Sequence, residues 1–258
     1  MLSRKHNFKS ARLRARRRRA AVSRTVFALV SIATSVSPSD LAKAAQKFLA
    51  GRYFFTVSRA NIFFYPKSAI EADILRTFPR IERVAVGFEN FHTIGLEVAE
   101  RGVSALWCQG EALALTLAAS GGERCYLLDD NGLIFAPFSA AASTSPAFIR
   151  FYSAVYKENP VGQTYGSAED FRALSVFAKN LASLSFTASL FRERPDGDFE
   201  AKLLTGQRLI FSRAADFASV LNNFHTIVSD PGFSGTGGLA KVDYIDLRYG
   251  NKVFYKFK

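Results

Sequence analysis

Apolar residues recur along this chain with two different periods. Leu41, Ala44, Ala45, Phe48 and Leu49 share one stripe of a helix. Ser37-Pro38-Ser39-Asp40 opens it with a capping hydroxyl, a proline at the first helical position and an acid at the positive end of the dipole, and Gly51 stops it. A second helix is predicted from Ser68-Ala-Ile-Glu71, which has capping-box spacing, with Ile70, Ile74 and Phe78 on one face until Pro79. The period then drops to two: Val84, Val86 and Phe88 alternate with polar or small residues, and so do Ile94, Leu96 and Val98 beyond the turn region Glu89 to His92, which predicts a hairpin. With Val26 to Ile32 as a first strand, the order is strand, helix, helix, strand, strand, closing at Arg101 with two helices on one sheet face.

After Gly102 short strands and turns dominate: Val103 to Cys108, Tyr126 to Leu128 and Leu133 to Phe135, the last two joined through Asp129-Asp-Asn131-Gly132. Ala136 to Pro146, rich in Ser, Ala and Pro, reads as a surface loop. A helix from Ser167 carries Phe171, Leu174, Phe177, Ala178 and Leu181 on one face. Strands follow at Leu184 to Phe191, Phe199 to Leu204 and Arg208 to Phe211, turning at Pro195-Asp-Gly197 and Thr205-Gly206. Ala214 to Val228 is helical, with Phe217, Val220, Leu221 and Phe224 apolar, and Gly232 to Gly238 is a flexible connection. Val242 to Tyr249, the turn Gly250-Asn251 and Lys252 to Phe257 make a terminal hairpin whose last strand lies at or near a sheet edge.

Charge changes the picture at one end. The formal charge is +12, but ten of the 34 Lys and Arg lie in Met1 to Arg24, which has no acid, leaving 24 bases against 22 acids in the body. A basic face that wraps DNA is therefore excluded. The block Arg12 to Arg19 is too self-repelling to fold alone. It suits a nucleic-acid arm, a contact with anionic lipid, the cytoplasmic flank of an anchor, or a solvated tail that binds nothing specific. The charge-free run Thr25 to Ser39 is shorter than the ~20 apolar residues that span a bilayer, and a signal-peptide reading finds no convincing cleavage site after Val26 to Val36. The windows Ala112 to Gly122 and Leu133 to Ile149 are broken by Gly or Pro, so no transmembrane helix is expected.

Candidate chemistry is sparse. Two cysteines, one methionine and three separated histidines offer no metal set. Cys108 and Cys125 lie in strand-like contexts 17 residues apart, which fits either one bridge between neighbouring strands or two buried free thiols. His92 falls in a turn and His225 on a helix, with packing or surface roles; Asp129-Asp130 belongs to its turn. Gly235-Thr-Gly-Gly238 lacks the Gly-Lys-Ser/Thr ending of a phosphate loop and leads into a strand. Phe54-Phe55 and Phe63-Phe64-Tyr65 have few basic neighbours and read as core rather than as a base-stacking platform. No catalytic, cofactor-binding or metal residue is singled out, and neither an enzyme activity, a cofactor nor a small-molecule substrate is expected.

Gly51-Arg-Tyr-Phe-Phe55, Asn61-Ile-Phe-Phe-Tyr-Pro66, Phe78-Pro-Arg-Ile81 and Glu100-Arg101, followed by Leu106-Trp-Cys108, Cys125-Tyr126, Asp129 to Phe135 and Asp246-Leu-Arg-Tyr249, resemble the FtsQ/DivIB family of bacterial division proteins over residues 26 to 258. The resemblance implies an α+β chain: a disordered basic tail over 1–24, a POTRA domain (β-α-α-β-β) over 25–101, and a mixed β-domain with an antiparallel sheet and flanking helices over 102–258. It implies a non-enzymatic divisome scaffold at the bacterial cell membrane, its body outside the cytoplasm, where a Cys108–Cys125 bridge is favoured. Partners of the FtsB and FtsL type would add a strand at Tyr249, Gly250, Asn251, Lys252, Val253 and Phe254. The tail would contact anionic lipid, and nucleic acid is not an expected partner. The chain departs from the family pattern in showing no apolar run of spanning length between Arg24 and Val26. The alternative function is a POTRA-bearing protein that handles polypeptide in export or outer-membrane assembly.

Overall fold

A computed structural model describes residues 26–31, 35–50, 52–53, 57–58, 64–90, 93–109, 124–139, 148–153, 158–235 and 237–258. The basic tail, Phe54, Phe55, Phe63, His92 and the window 112–122 lie outside them, as does 140–146 of the expected surface loop. The architecture is mixed α+β, and the chain divides into two compact units between Arg101 and Gly102.

The first unit holds β1 (Val26–Ser31), α1 (Pro38–Leu49), the two-residue strands β2 (Arg52–Tyr53) and β3 (Val57–Ser58), α2 (Lys67–Thr77), β4 (Ile81–Asn90) and β5 (Thr93–Glu100). Its three-stranded sheet runs β1-β5-β4, with β1 parallel and β4 antiparallel to β5. Leu41, Ala45 and Leu49 of α1 and Ile70 and Ile74 of α2 are buried against Ile81, Val86, Ile94, Leu96 and Val98. Two expected helix caps do not form. Helix α1 does begin at Pro38, yet the Ser37 hydroxyl bonds Ser39 Oγ at 2.8 Å and only its carbonyl receives the amides of Asp40 and Leu41. In α2 the helix starts before Ser68, Pro66 takes the cap position, and Glu71 turns to the sheet, where its Oε1 accepts the Val86 N–H of β4 at 2.9 Å. A strand amide half shielded from water has more to gain from a carboxylate than an open helix end does.

Asp73 of α2 is buried and paired at 2.5 Å with both Lys47 of α1 and Arg76. The Lys47 ammonium and then the Arg76 guanidinium hold its carboxyl below the ordinary value of 3.8. A carboxyl lowered in the folded state contributes stability above its unfolded value and loses it as pH falls through the folded one. Unfolding midpoints measured from pH 6 down to about pH 2 should therefore fall more steeply for the native chain than for Asp73→Asn, with the two converging in acid.

The second unit contains β6 (Ala105–Gln109), β7 (Arg124–Leu128), β8 (Ile134–Pro137), β9 (Arg150–Tyr152), α3 (Ala168–Ser183), β10 (Ala188–Glu193), β11 (Phe199–Leu203), β12 (Arg208–Phe211), α4 (Phe217–Ser229), α5 (Pro231–Gly235), β13 (Val242–Tyr249) and β14 (Lys252–Phe257). One nine-stranded sheet runs β14-β13-β12-β11-β10-β9-β6-β7-β8, mostly antiparallel, with parallel pairs at β6/β9, β9/β10 and β12/β13. The helices α3 and α4 cover one face over an aromatic core of Phe151, Phe171, Phe177, Phe191, Phe199, Phe211 and Phe224. On the opposite face Leu106, Cys108, Tyr152 and Leu190 form a smaller cluster, and there Cys108 and Cys125, directly opposed on β6 and β7, are joined as a disulfide.

Several boundaries depart from the pattern-based reading, three of them with a clear physical reason. Leu184 to Thr187 is not strand: Ser185, at φ 69°, ends α3 in a Schellman motif, donating to the Ala182 carbonyl while Phe186 N–H reaches Leu181 O. Gly232 to Gly235 is not a flexible connection but part of the short helix α5, held by Asp230 Oδ1 at the Phe233 N–H and by the burial of Phe233. Ala136 and Pro137 belong to β8 rather than to a loop. Because a left-handed backbone costs a residue with a Cβ about 1 kcal/mol, Ser185→Gly should stabilise the unit by about that amount, seen as a melting temperature raised by a few degrees.

Candidate functional site

The two ends of the large sheet are finished differently. At β8 the outer backbone is occupied by the chain's own segment: Ile134 N–H donates to Gln163 O at 2.8 Å, Gly162 N–H to Ile134 O at 2.7 Å, and Leu133 bridges Thr164. Pro137 brings no donor to that edge. At the other end β14 pairs with β13 alone, and among the described residues nothing pairs with its outer side. The small sheet's edge at β4 is plugged at Val86 by Glu71. Exposed donors and acceptors of an unpaired strand are a template for another chain.

The six residues singled out from the sequence fall together here. Tyr249 ends β13 opposite Lys252, which starts β14, and Gly250-Asn251 makes the turn between them. Gly250, at φ 63°, occupies the first central position, where a type II′ turn needs a positive φ that glycine adopts freely. Asn223 of α4, which the sequence did not point to, donates from Nδ2 to Gly250 O at 2.6 Å and fixes the turn against the helix. Helix α4 is itself started by Asp216, whose carboxylate receives the Ser219 hydroxyl and the amides of Ala218 and Ser219; those bonds lower its pKa.

Behind the turn a cleft of about 600 Å³ runs between the start of α4 and the hairpin, with Asp216, Asn223, Leu247, Arg248 and Asn251 among its walls. Arg248 bonds Asp246 through Nε and Nη2 at 2.9 and 2.6 Å and reaches Asp196 and Asp198 at 3.3 Å, so that the adjacent carboxylates, Asp246 first, hold its guanidinium charged more firmly than usual. This cluster ties the β10–β11 turn to β13, with Arg248 and Asp198 50 residues apart in sequence.

Both faces of the edge carry exposed aromatics. Tyr249 and Phe254, each 54% exposed, stand edge to face at 5.2 Å on one side. Tyr255 packs on Phe233 and Phe257 on the other, beside the half-buried Val253. An apolar edge with unused main-chain groups can hold an incoming strand by both hydrogen bonding and burial.

The chain matches no family profile and no curated protein.

Among the described residues no group of three His, Cys, Asp or Glu is placed to hold a metal ion, and no helix is long and apolar enough to cross a membrane. Asp129 is buried and spends Oδ1 on the amides of Asn131 and Leu133, as a turn aspartate does. His225 sits on α4.

Proposed function

We propose that this protein is a non-enzymatic scaffold of bacterial cell division, a POTRA domain over 25–101 followed by an FtsQ-type β-domain over 102–258, which recruits FtsB- or FtsL-like partners by strand addition to β14. The observation that carries the reading is the asymmetry of the large sheet: β8 is closed by Gly162 to Thr164, whereas among the described residues nothing pairs with the outer side of β14. The parallel β1/β5 pairing with two helices on one sheet face supports the POTRA assignment of the first unit. On this reading the body lies outside the cytoplasm at the division site, where the Cys108–Cys125 bridge is chemically at home. The basic tail then lies against anionic lipid.

A six-residue strand offers an incoming chain about 20 Å of edge and about six main-chain hydrogen bonds. Proline inside β14 deletes an N–H and fixes φ, so Val253→Pro should weaken capture of an FtsB-like peptide at least tenfold in calorimetric titration. Val253 also packs on the core, so the companion measurement leaves the protein untouched: N-methylating alternate amides of the peptide should cost a similar factor. Undiminished binding in both would dismiss edge addition. Pulldown of many unfolded outer-membrane polypeptides instead of a fixed partner would favour the export and assembly reading.

A further inference from the structure

The side chains of β14 alternate between its two faces, with lysines on one of them. Both irregularities of its pairing lie in β13, between Val242 and Tyr244 and between Asp246 and Tyr249, so β14 itself is regular. Lys252, Phe254 and Lys256 therefore point to one face, and Val253, Tyr255 and Phe257 to the other. The two lysines stand about 14 Å apart on either side of an exposed aromatic ring. Lys252 and Lys256 form no ion pair among the described residues. The acids of the neighbouring strand are committed elsewhere: Asp243 to Arg208 at 2.9 Å, Asp246 to Arg248 at 2.6 Å.

Lysine on an exposed edge is a known protection against indiscriminate pairing. Here the spacing goes further. In an antiparallel pairing of two copies centred on Phe254, Lys252 of each faces Lys256 of the other; in a parallel in-register pairing each lysine faces itself. Like charges directly opposed weaken a strand pair, so the edge rejects a second copy in both arrangements.

We propose that β14 selects a partner strand that is acidic at its two ends and apolar between, an acid-apolar-aromatic-apolar-acid pattern of five residues. Its carboxylates stand opposite Lys252 and Lys256, its central ring packs against Phe254, and its two remaining side chains lie beside Val253 and Tyr255. This inference rests on the edge-addition reading above and names the chemistry of the strand that fits.

The test uses two synthetic ten-residue peptides that differ only at two positions, one with the core Glu-Val-Phe-Val-Glu and its twin with Lys-Val-Phe-Val-Lys. The full chain should bind the acidic peptide about tenfold more tightly at low salt, with the gap narrowing as salt rises past physiological strength. In the double variant Lys252→Glu/Lys256→Glu the ranking should invert. The single variant Lys252→Glu makes the edge complementary to itself and should self-associate in sedimentation where the native chain and the double variant do not. Equal affinity for the twins, with both lost on N-methylation, would overturn charge selection while leaving edge addition standing. No binding of either peptide would remove edge addition itself, and the selection with it. A Lys252→Glu variant no more associated than the native chain would overturn the exclusion of a second copy.

Discussion

Phe177→Ala is expected to cost the second unit about 4 kcal/mol, the largest loss from any single side chain considered. Phe177 is 1% exposed, and its ring lies 4.9 Å from Phe211, 5.7 Å from Phe217 and 6.3 Å from Phe191. It is therefore the point at which α3, α4, β10 and β12 meet. Removing the ring forfeits its transfer free energy and leaves a space that neighbours on four elements cannot all move to fill. For a unit of this size the loss corresponds to a fall of roughly 8 to 16 °C in melting temperature. Phe177→Leu keeps most of the volume and should cost under half as much. An alanine variant that melts within about 2 °C of the native chain would show that the aromatic cluster is not the core of the unit.

The same residues show why parts of this fold are legible from sequence. Phe171, Leu174, Phe177, Ala178 and Leu181 are the five buried positions of α3 and the five that the 3.6-residue period selects. The terminal hairpin is legible for a similar reason: two alternating runs flank Gly250-Asn251, and their pairing involves neighbours in sequence. Period and turn chemistry are local signals. Strand order is not: β6, β9 and β10 become neighbours through parallel pairings that bring Leu106, Arg150 and Leu190 side by side, and nothing within a ten-residue window specifies that.

The misread segments share a cause. Leu184 to Phe191 alternates apolar and polar as a strand would, but Ser185 takes a left-handed conformation because the last turn of α3 needs its carbonyls satisfied. Glu71 has capping-box spacing from Ser68, yet the unpaired Val86 amide on β4 competes successfully for it. In each case a partner distant in sequence, or a terminal backbone demand, outweighs a local preference worth about 1 kcal/mol. At the candidate site the terminal hairpin that holds Tyr249 to Phe254 could be read from sequence. The Asn223 bond to Gly250 and the Arg248 cluster with Asp196 and Asp198 could not, because their partners lie 27 to 52 residues away.

Replacing Cys108 and Cys125 together by serine should cost about 3 kcal/mol, because the bridge closes a loop of 17 residues whose freedom the unfolded chain would otherwise regain. The physical interest lies in where that loss is felt. The bridge joins β6 to β7, and β13, β12, β11, β10 and β9 all stand between β6 and β14. At about 4.8 Å per strand the disulfide lies roughly 29 Å from the β14 edge. Its side chains belong to the small cluster around Leu106, Tyr152 and Leu190, whereas the turn that presents β14 is fixed by Asn223 and the Arg248 cluster. The serine variant should therefore melt lower while binding a strand peptide with unchanged affinity at temperatures where it remains folded. Denaturant titration and calorimetry on the same sample measure both. Loss of binding at full foldedness would mean that the sheet transmits strain from one end to the other, and that the edge is set by the whole sheet rather than by its own turn and helix.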